Sequence, residues 1–173
     1  NPRLMRINLI NVIAGCIMMI IRKVEQSDFS EWHRLRKLLY PDYSPNELMR
    51  EIRAIYFDRN VVGELDYFVC AVENEKSKLC GFCETSLRKK DPFSHVGPVG
   101  YVESLFVDSS FRMKGLAQGM LVECEKWVRN KNCNEFWVDT EDKFVGALQC
   151  YQKFGFTVIK KDSAETLLKK KVR

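Results

Sequence analysis

Histidine is close to absent from this chain, with two in 173 residues, His33 and His95. Zinc is held by imidazoles or clustered thiolates, and the one CxxC spacing, Cys80 and Cys83, has no second ligand pair. That pair also sits in a strand-like run with no helix opening on it, so thioredoxin-like chemistry is not indicated and no metal is expected. Nucleotide signatures are missing too: neither GxxxxGK[ST] nor GxGxxG occurs. A disulfide framework is lacking, because the seven cysteines are an odd set lying mostly in apolar runs. Thiols of that kind behave as small hydrophobes and point to a reducing, cytoplasmic setting. Basic clustering is confined to residues 169–171, so a net charge of +5 reads as a solvated surface and not as a nucleic-acid face. No repeat, low-complexity tract or interdomain linker interrupts a composition of 46% hydrophobic and 29% charged residues, which suits one globular domain.

The longest apolar run, residues 7–21, is broken by Asn8 and Asn11 and is too short and polar for a membrane span. Ile13, Ala14, Gly15 and Cys16 resemble a bacterial lipoprotein cleavage site, yet no polar linker follows Cys16. The expectation is an upstream or non-native extension over residues 1–18 and a single domain over 19–173, with a lipid anchor on Cys16 as a weaker alternative.

Periodicity then sets the elements. "MIIRKV" reads as a first strand, with Ser27 and Asp28 as the cap of a helix whose apolar face is Phe29, Trp32, Leu35, Leu38 and Leu39. A second helix carries Ser44 as cap, Pro45 at its first position and Glu47 completing a capping box. Alternating runs at 67–72 and 78–88 form a hairpin, "YVESLFV" is the next strand, and residues from Leu116 onward form an amphipathic helix. "NEFWVDT" is a strand, residues 143–154 a helix stopped by Gly155, and two C-terminal runs a closing hairpin. The order is β-αα-βββ-α-β-α-ββ, a mixed α/β domain.

The segment "SSFRMKGLAQGM" opens a helix badly. Gly115 and Gly119 disfavour the helix, and Arg112 and Lys114 oppose its dipole. A small-residue turn between strand and helix leaves N–H groups free for an anion, with basic side chains outside it. Plain helix entry with incidental basic residues stays open on the turn alone.

"VDSSFRMKGLA" resembles the acyl-CoA motif R/Q-x-x-G-x-G/A of the GNAT N-acetyltransferases, with Arg112, Gly115 and Ala117 at its defining positions. "YQKFGF", with Tyr151, is similar to a later helix ending of that superfamily. "WHRLRKLLYP", "GFCETSLR", "YVESLFV" and "VDT" resemble, in order, segments of the aminoglycoside 6′-N-acetyltransferases. Phe144 stands where the family usually has Asn, and Tyr151 where this subfamily often has His.

The resemblance implies the GNAT acyl-CoA N-acyltransferase fold, a mixed sheet of about seven strands with about four helices. It implies acetyl-CoA as cosubstrate, an aminoglycoside as acceptor, a homodimer, and no nucleic-acid or membrane partner. The cofactor would lie on Leu105, Phe106, Val107, Arg112, Met113, Lys114, Gly115, Leu116 and Ala117. Asp139, Glu103 and Tyr151 would be catalytic, and Glu84, Glu103, Asp139 and Tyr67 would bind the acceptor. The residues themselves add that acids on three core strands are costly unless paired or facing a cation. Glu103 shares strand parity with Tyr101, Leu105 and Val107. Pairing with arginines such as Arg88 is the alternative for each acid, and a core position on the face of Phe144, Ala147, Leu148 and Phe154 is the alternative for Tyr151. Glu64, Asp66, Glu141 and Asp142 read as solvated, or as an acidic rim. Acids are expected to line the acceptor cleft while basic groups gather at the cofactor turn. Another amine acceptor, such as a polyamine or peptide, and a non-catalytic acyl-CoA-binding module remain competing functions.

Overall fold

A computed structural model describes residues 19–93, 95, 97–141 and 143–172. Residues 1–18, where an extension is expected and where Cys16 falls, lie outside the described residues, as does Asp142. Apolar residues at 2.0 and 3.6 spacing produce the elements expected of them. In chain order these are β1 (Ile20–Lys23), α1 (Phe29–Leu39), α2 (Pro45–Arg53), β2 (Asp66–Glu73), β3 (Leu79–Arg88), β4 (Val99–Val107), α3 (Leu116–Asn130), β5 (Glu135–Glu141), α4 (Val145–Phe154), β6 (Thr157–Lys161) and β7 (Glu165–Lys171). The strands form a seven-stranded sheet in the order β1-β2-β3-β4-β5-β7-β6. Among the described residues β4 and β5 run parallel and the other pairings are antiparallel. Among the described residues no helix is long and apolar enough to cross a membrane.

Each face of the sheet carries helices. Trp32 and Leu35 of α1 and Ile52 of α2 bury against Val69, Ala71 and Phe82 on one face. Leu116, Met120, Leu121, Cys124 and Val128 of α3, with Tyr151 of α4, bury against Cys70, Val102 and Val138 on the other. Gly100 permits the second layer: a Cβ there would stand 2.3 Å from Val128 Cγ2, so any larger residue would push α3 off β4.

Helix ends follow local chemistry. Ser44 Oγ accepts from the Glu47 amide and the Glu47 carboxylate accepts from the Ser44 amide, a complete capping box with Pro45 behind it. The expected cap of α1 differs. Asp28 makes no cap bond to α1; it accepts from the Glu25 amide at 2.7 Å and from Arg22, closing a short 3₁₀ turn over Gln26–Asp28. Helix α2 runs on as a π turn over Ala54–Asp58, halted by Arg59 at φ 56°. Gly155 ends α4 as expected.

Candidate active site

The site begins where β4 and β5 part. Their parallel pairing comprises Gly100 with Phe136, Tyr101 with Trp137 and Val102 with Val138. Glu103 is the first residue past that pairing on one arm of the fork and Asp139 the first on the other. Against β3 the register shifts at the same point: Glu84 faces Ser104, Thr85 faces Val102, and Glu103 is the extra residue of a bulge. The bulge reverses the expected parity. Tyr101 lies with Trp137 and Leu167 on the α1/α2 side, whereas Leu105 and Val107 pack against the α3 core.

Backbone direction alternates along β4. The Asp108 N–H donates to Cys80 at 2.9 Å, so with Phe106 opposite Phe82 in the same register, Phe106's own N–H and C=O face β3. The groups of Leu105 and Val107 therefore face the gap left by β5. Of the three β4 residues expected to meet the cofactor, Leu105 and Val107 turn their backbone groups to this gap, whereas the polar groups of Phe106 face β3 and its ring packs 6.2 Å from that of Phe82.

Beyond β4 the chain makes a 3₁₀ turn over Ser109–Phe111, capped by Asp108. Met113 at φ 61° and Gly115 at φ 75° then bend the backbone through left-handed geometry. The first bond closing α3 runs from Gly119 N–H to Gly115 C=O at 3.0 Å. The N–H groups of residues 113–118 have no hydrogen-bond acceptor among the described residues. A run of unpaired amides before and into a helix N-terminus is the kind of backbone nest that can receive an anion. It starts one residue later than expected, because the Arg112 N–H bonds to Ser109 and its Nε donates to the Val107 carbonyl at 2.9 Å. Arg112 thus ties the nest to the free edge of β4. Leu116 sends its side chain into the core, and a Cβ on Gly115 would meet nothing within 4 Å. Gly115 serves backbone conformation, not packing.

On the α1/α2 face lies a cleft of about 500 Å³. Glu84, Glu103 and Tyr67 line it as expected, joined by Arg36, Tyr40, Glu51, Glu64, Arg88 and Ser104. Glu84 is 2% exposed, and its Oε1 accepts from Trp32 Nε1 at 2.8 Å and Arg36 at 2.7 Å. Arg36 also grips Glu51. Glu103 accepts from Ser86 and, side-on, from Arg88 at 2.9 and 2.7 Å. Glu64 takes the Val61 and Val62 amides, each at 2.9 Å; burial opposes its charge, and these N–H groups override that and hold its carboxyl below its ordinary 4.5. Burial pushes Tyr67 well up, with Glu103, Glu64 and Glu84 adding to it. Tyr40 shares a 2.6 Å hydrogen bond with Ser104 and is pushed up to about 12, by burial first and Glu84 second. Asp139 stands outside this lining, exposed at the fork, and accepts from the Tyr101 hydroxyl through Oδ1.

A profile of the Acetyltransferase (GNAT) family matches residues 32–156. The chain belongs to this family. Among GNAT relatives, it is 29% identical over 140 residues to an aminoglycoside N(6′)-acetyltransferase type 1 of Klebsiella aerogenes, covering 81% of this chain and 90% of that protein. It is 27% identical over 139 residues to one of Salmonella typhimurium, covering 80% and 91%. Its fold is that of aminoglycoside N-acetyltransferase AAC(6′)-Iy, solved in complex with CoA: TM-score 0.75 at 22% identity, over 87% of this chain and 95% of that one.

The GNAT fold thus brings Glu84, Glu103 and Tyr67 to one cleft and sets Glu103 and Asp139 just past the β4–β5 pairing, while other expectations need correction. The expected charge separation is weak: Glu51, Glu64, Glu84 and Glu103 share the cleft with Arg36, Arg88 and Lys89. Pairing explains two of the three core-strand acids, Glu84 through Arg36 and Glu103 through Arg88. Tyr151 lies in the opposite layer, buried with its ring 5.8 Å from that of Phe156. Burial pushes its hydroxyl well up, with Cys83, Cys150, Asp139 and Tyr40 adding to it. Asp66 and Glu141 do not line the cleft; they pair with Lys131 at 2.7 Å and Lys143 at 2.5 Å. Glu64, expected in solvent or on an acidic rim, is a buried residue of the cleft lining. Sequence reading also missed Arg36 and Tyr40. Their signal was the i, i+4 spacing from Trp32, which sets all three on one side of α1.

Proposed function

We propose that this chain transfers the acetyl group of acetyl-CoA to the 6′-amine of aminoglycoside antibiotics, giving resistance to them. One observation carries the reading: β4 contributes Glu103 to the carboxylate-lined cleft, loses its β5 partner after Val102, and leads on into the turn whose amides at residues 113–118 are unpaired among the described residues. The names of the relatives give the acceptor class.

Acetyl-CoA supplies the activated acyl group. The residues present fit it: the amide nest matches a diphosphate, Arg112 and Lys114 add positive charge, and the backbone groups of Leu105 with the N–H of Val107 match the amides of an extended pantetheine arm, the Val107 carbonyl being taken by Arg112. An amine arrives as ammonium, with a reference pKa of about 10.4. Asp139, with Oδ2 free of any hydrogen bond among the described residues, receives it at the fork and takes its proton directly or through water. Glu84, Glu103 and Tyr67 line the bed for the remaining rings. A β4 N–H at the gap polarises the reacting carbonyl. Tyr151, kept neutral by burial, donates a proton to the departing thiolate. A homodimer and a cytoplasmic location belong to the same reading.

The test is free-thiol release from acetyl-CoA with kanamycin-like aminoglycosides, polyamines and peptides offered in parallel. Turnover with aminoglycosides and mass increase at the 6′-amine are expected. Turnover only with polyamines or peptides would replace the acceptor. CoA binding by calorimetry with no thiol released by any amine would leave a binding module.

A further inference from the structure

Arg88, at the end of β3, closes a line of contacts across the mouth of the cleft. Its Nε and Nη2 lie on the Glu103 carboxylate at 2.9 and 2.7 Å, and its Cζ stands 3.4 Å from the centroid of the Tyr101 ring. Tyr101 donates onward to Asp139. Arg88 and Glu103 line the 500 Å³ cleft, while Tyr101, with Phe93, Lys160 and Asp162, lines a second cavity of about 220 Å³. The stacked pair thus contributes one side chain to each cavity.

A carboxylate beside an aromatic face is a receptor for an ammonium or guanidinium group. Here the chain's own guanidinium fills it. Of the two arginines lining the cleft, Arg36 is 5% exposed and locked between Glu84 and Glu51, whereas the Arg88 side chain is 37% exposed and paired with Glu103 alone. Arg88 is the one that can swing into solvent without stranding a buried charge.

We infer that Arg88 is an internal stand-in for the acceptor. It occupies, and must vacate, the subsite that takes a second positive group of a polycationic acceptor while the reacting amine goes to Asp139. The inference rests on the acetyl-transfer reading and adds to it that acceptor affinity is set by competition with Arg88. A monoamine that uses Asp139 alone has no such competitor.

Calorimetry in the presence of CoA tests this with a kanamycin-like aminoglycoside, a small monoamine and methylguanidinium, on wild type, Arg88→Ala and Arg88→Gln. Removing Arg88 is expected to tighten aminoglycoside binding about tenfold, the combined scale of a half-exposed ion pair and a ring contact. Monoamine affinity should stay within about twofold. Methylguanidinium should compete with the aminoglycoside in both variants and not in wild type, and Arg88→Lys should fall between. Unchanged or weaker aminoglycoside binding by folded variants overturns the inference, as does absent competition by methylguanidinium or failure of both variants to fold. Wild type that binds CoA but no amine would instead sink the acetyl-transfer reading itself.

Discussion

Asp139 and Glu103 are both carboxylates at the fork, yet their surroundings assign them different work. Glu103 is held by Ser86 and Arg88, and Asp139 by the Tyr101 hydroxyl alone. Asp139→Asn should lower kcat about 10²- to 10⁴-fold and leave CoA affinity unchanged in calorimetry. Tyr151→Phe should also lower kcat and spare CoA affinity; unchanged turnover would return Tyr151 to a purely packing role. Glu64 gives a pH signature. Its carboxyl is held below the ordinary 4.5 in the fold, so the ionised form stabilises the native state above that pH, and the contribution disappears as pH falls through the lower folded value. Denaturant melts of Glu64→Gln should therefore show a deficit against wild type at pH 7 that narrows below about pH 4.5. A deficit independent of pH would mean that packing, not charge, is what Glu64 contributes.

At the scale of elements, what was legible in the sequence had local causes. The capping box of α2, the apolar face of α3 and the stop at Gly155 all lie within a few residues of their signals and stand in the structure, while the expected face of α1 holds at Trp32 and Leu35 but leaves Leu38 exposed. The bulge at Glu103 could not be read, because strict alternation holds no mark of one extra residue, and a single insertion exchanges the faces of everything after it. Pairing was opaque for a related reason: Glu84 and Arg36 are 48 residues apart, joined only once α1 lies on the sheet. The anion turn was legible as a conflict, since glycine and basic residues there opposed helix formation. That conflict yields a prediction. Gly115→Ala places a side chain at φ 75°, at about 1–2 kcal/mol of strain with no clash to add to it. CoA affinity should fall by about five- to thirtyfold, the range that such a strain represents, as the amides of residues 113–118 turn away. Loss of thermal stability with unchanged CoA affinity would detach the nest from the cofactor.

For the molecule as a whole, charge and function are reconciled locally. A chain of net charge +5 can accept a cation because a few acids are concentrated at one fork, though arginines bound to Glu84 and Glu103 leave that concentration modest. Raising salt should weaken CoA binding at the basic turn more steeply than acceptor binding in the partly self-neutralised cleft, which calorimetry at two ionic strengths would register. Opposite ordering would mean that the cleft carries more unpaired charge than its ion pairs imply.

The single parallel junction has a mechanical consequence. Strands β1 to β4 and strands β5, β7 and β6 are each zipped by antiparallel ladders, but the ladder joining the two blocks among the described residues is the short pairing that ends at Val102 and Val138. That junction is the crease along which the sheet would part first, and the open fork is its existing notch. A carrier seated along β4 would act as a splint across it. Deuterium uptake at β5 amides should therefore slow when CoA is added, while the β2–β3 ladder, far from the crease, keeps the rate it already has.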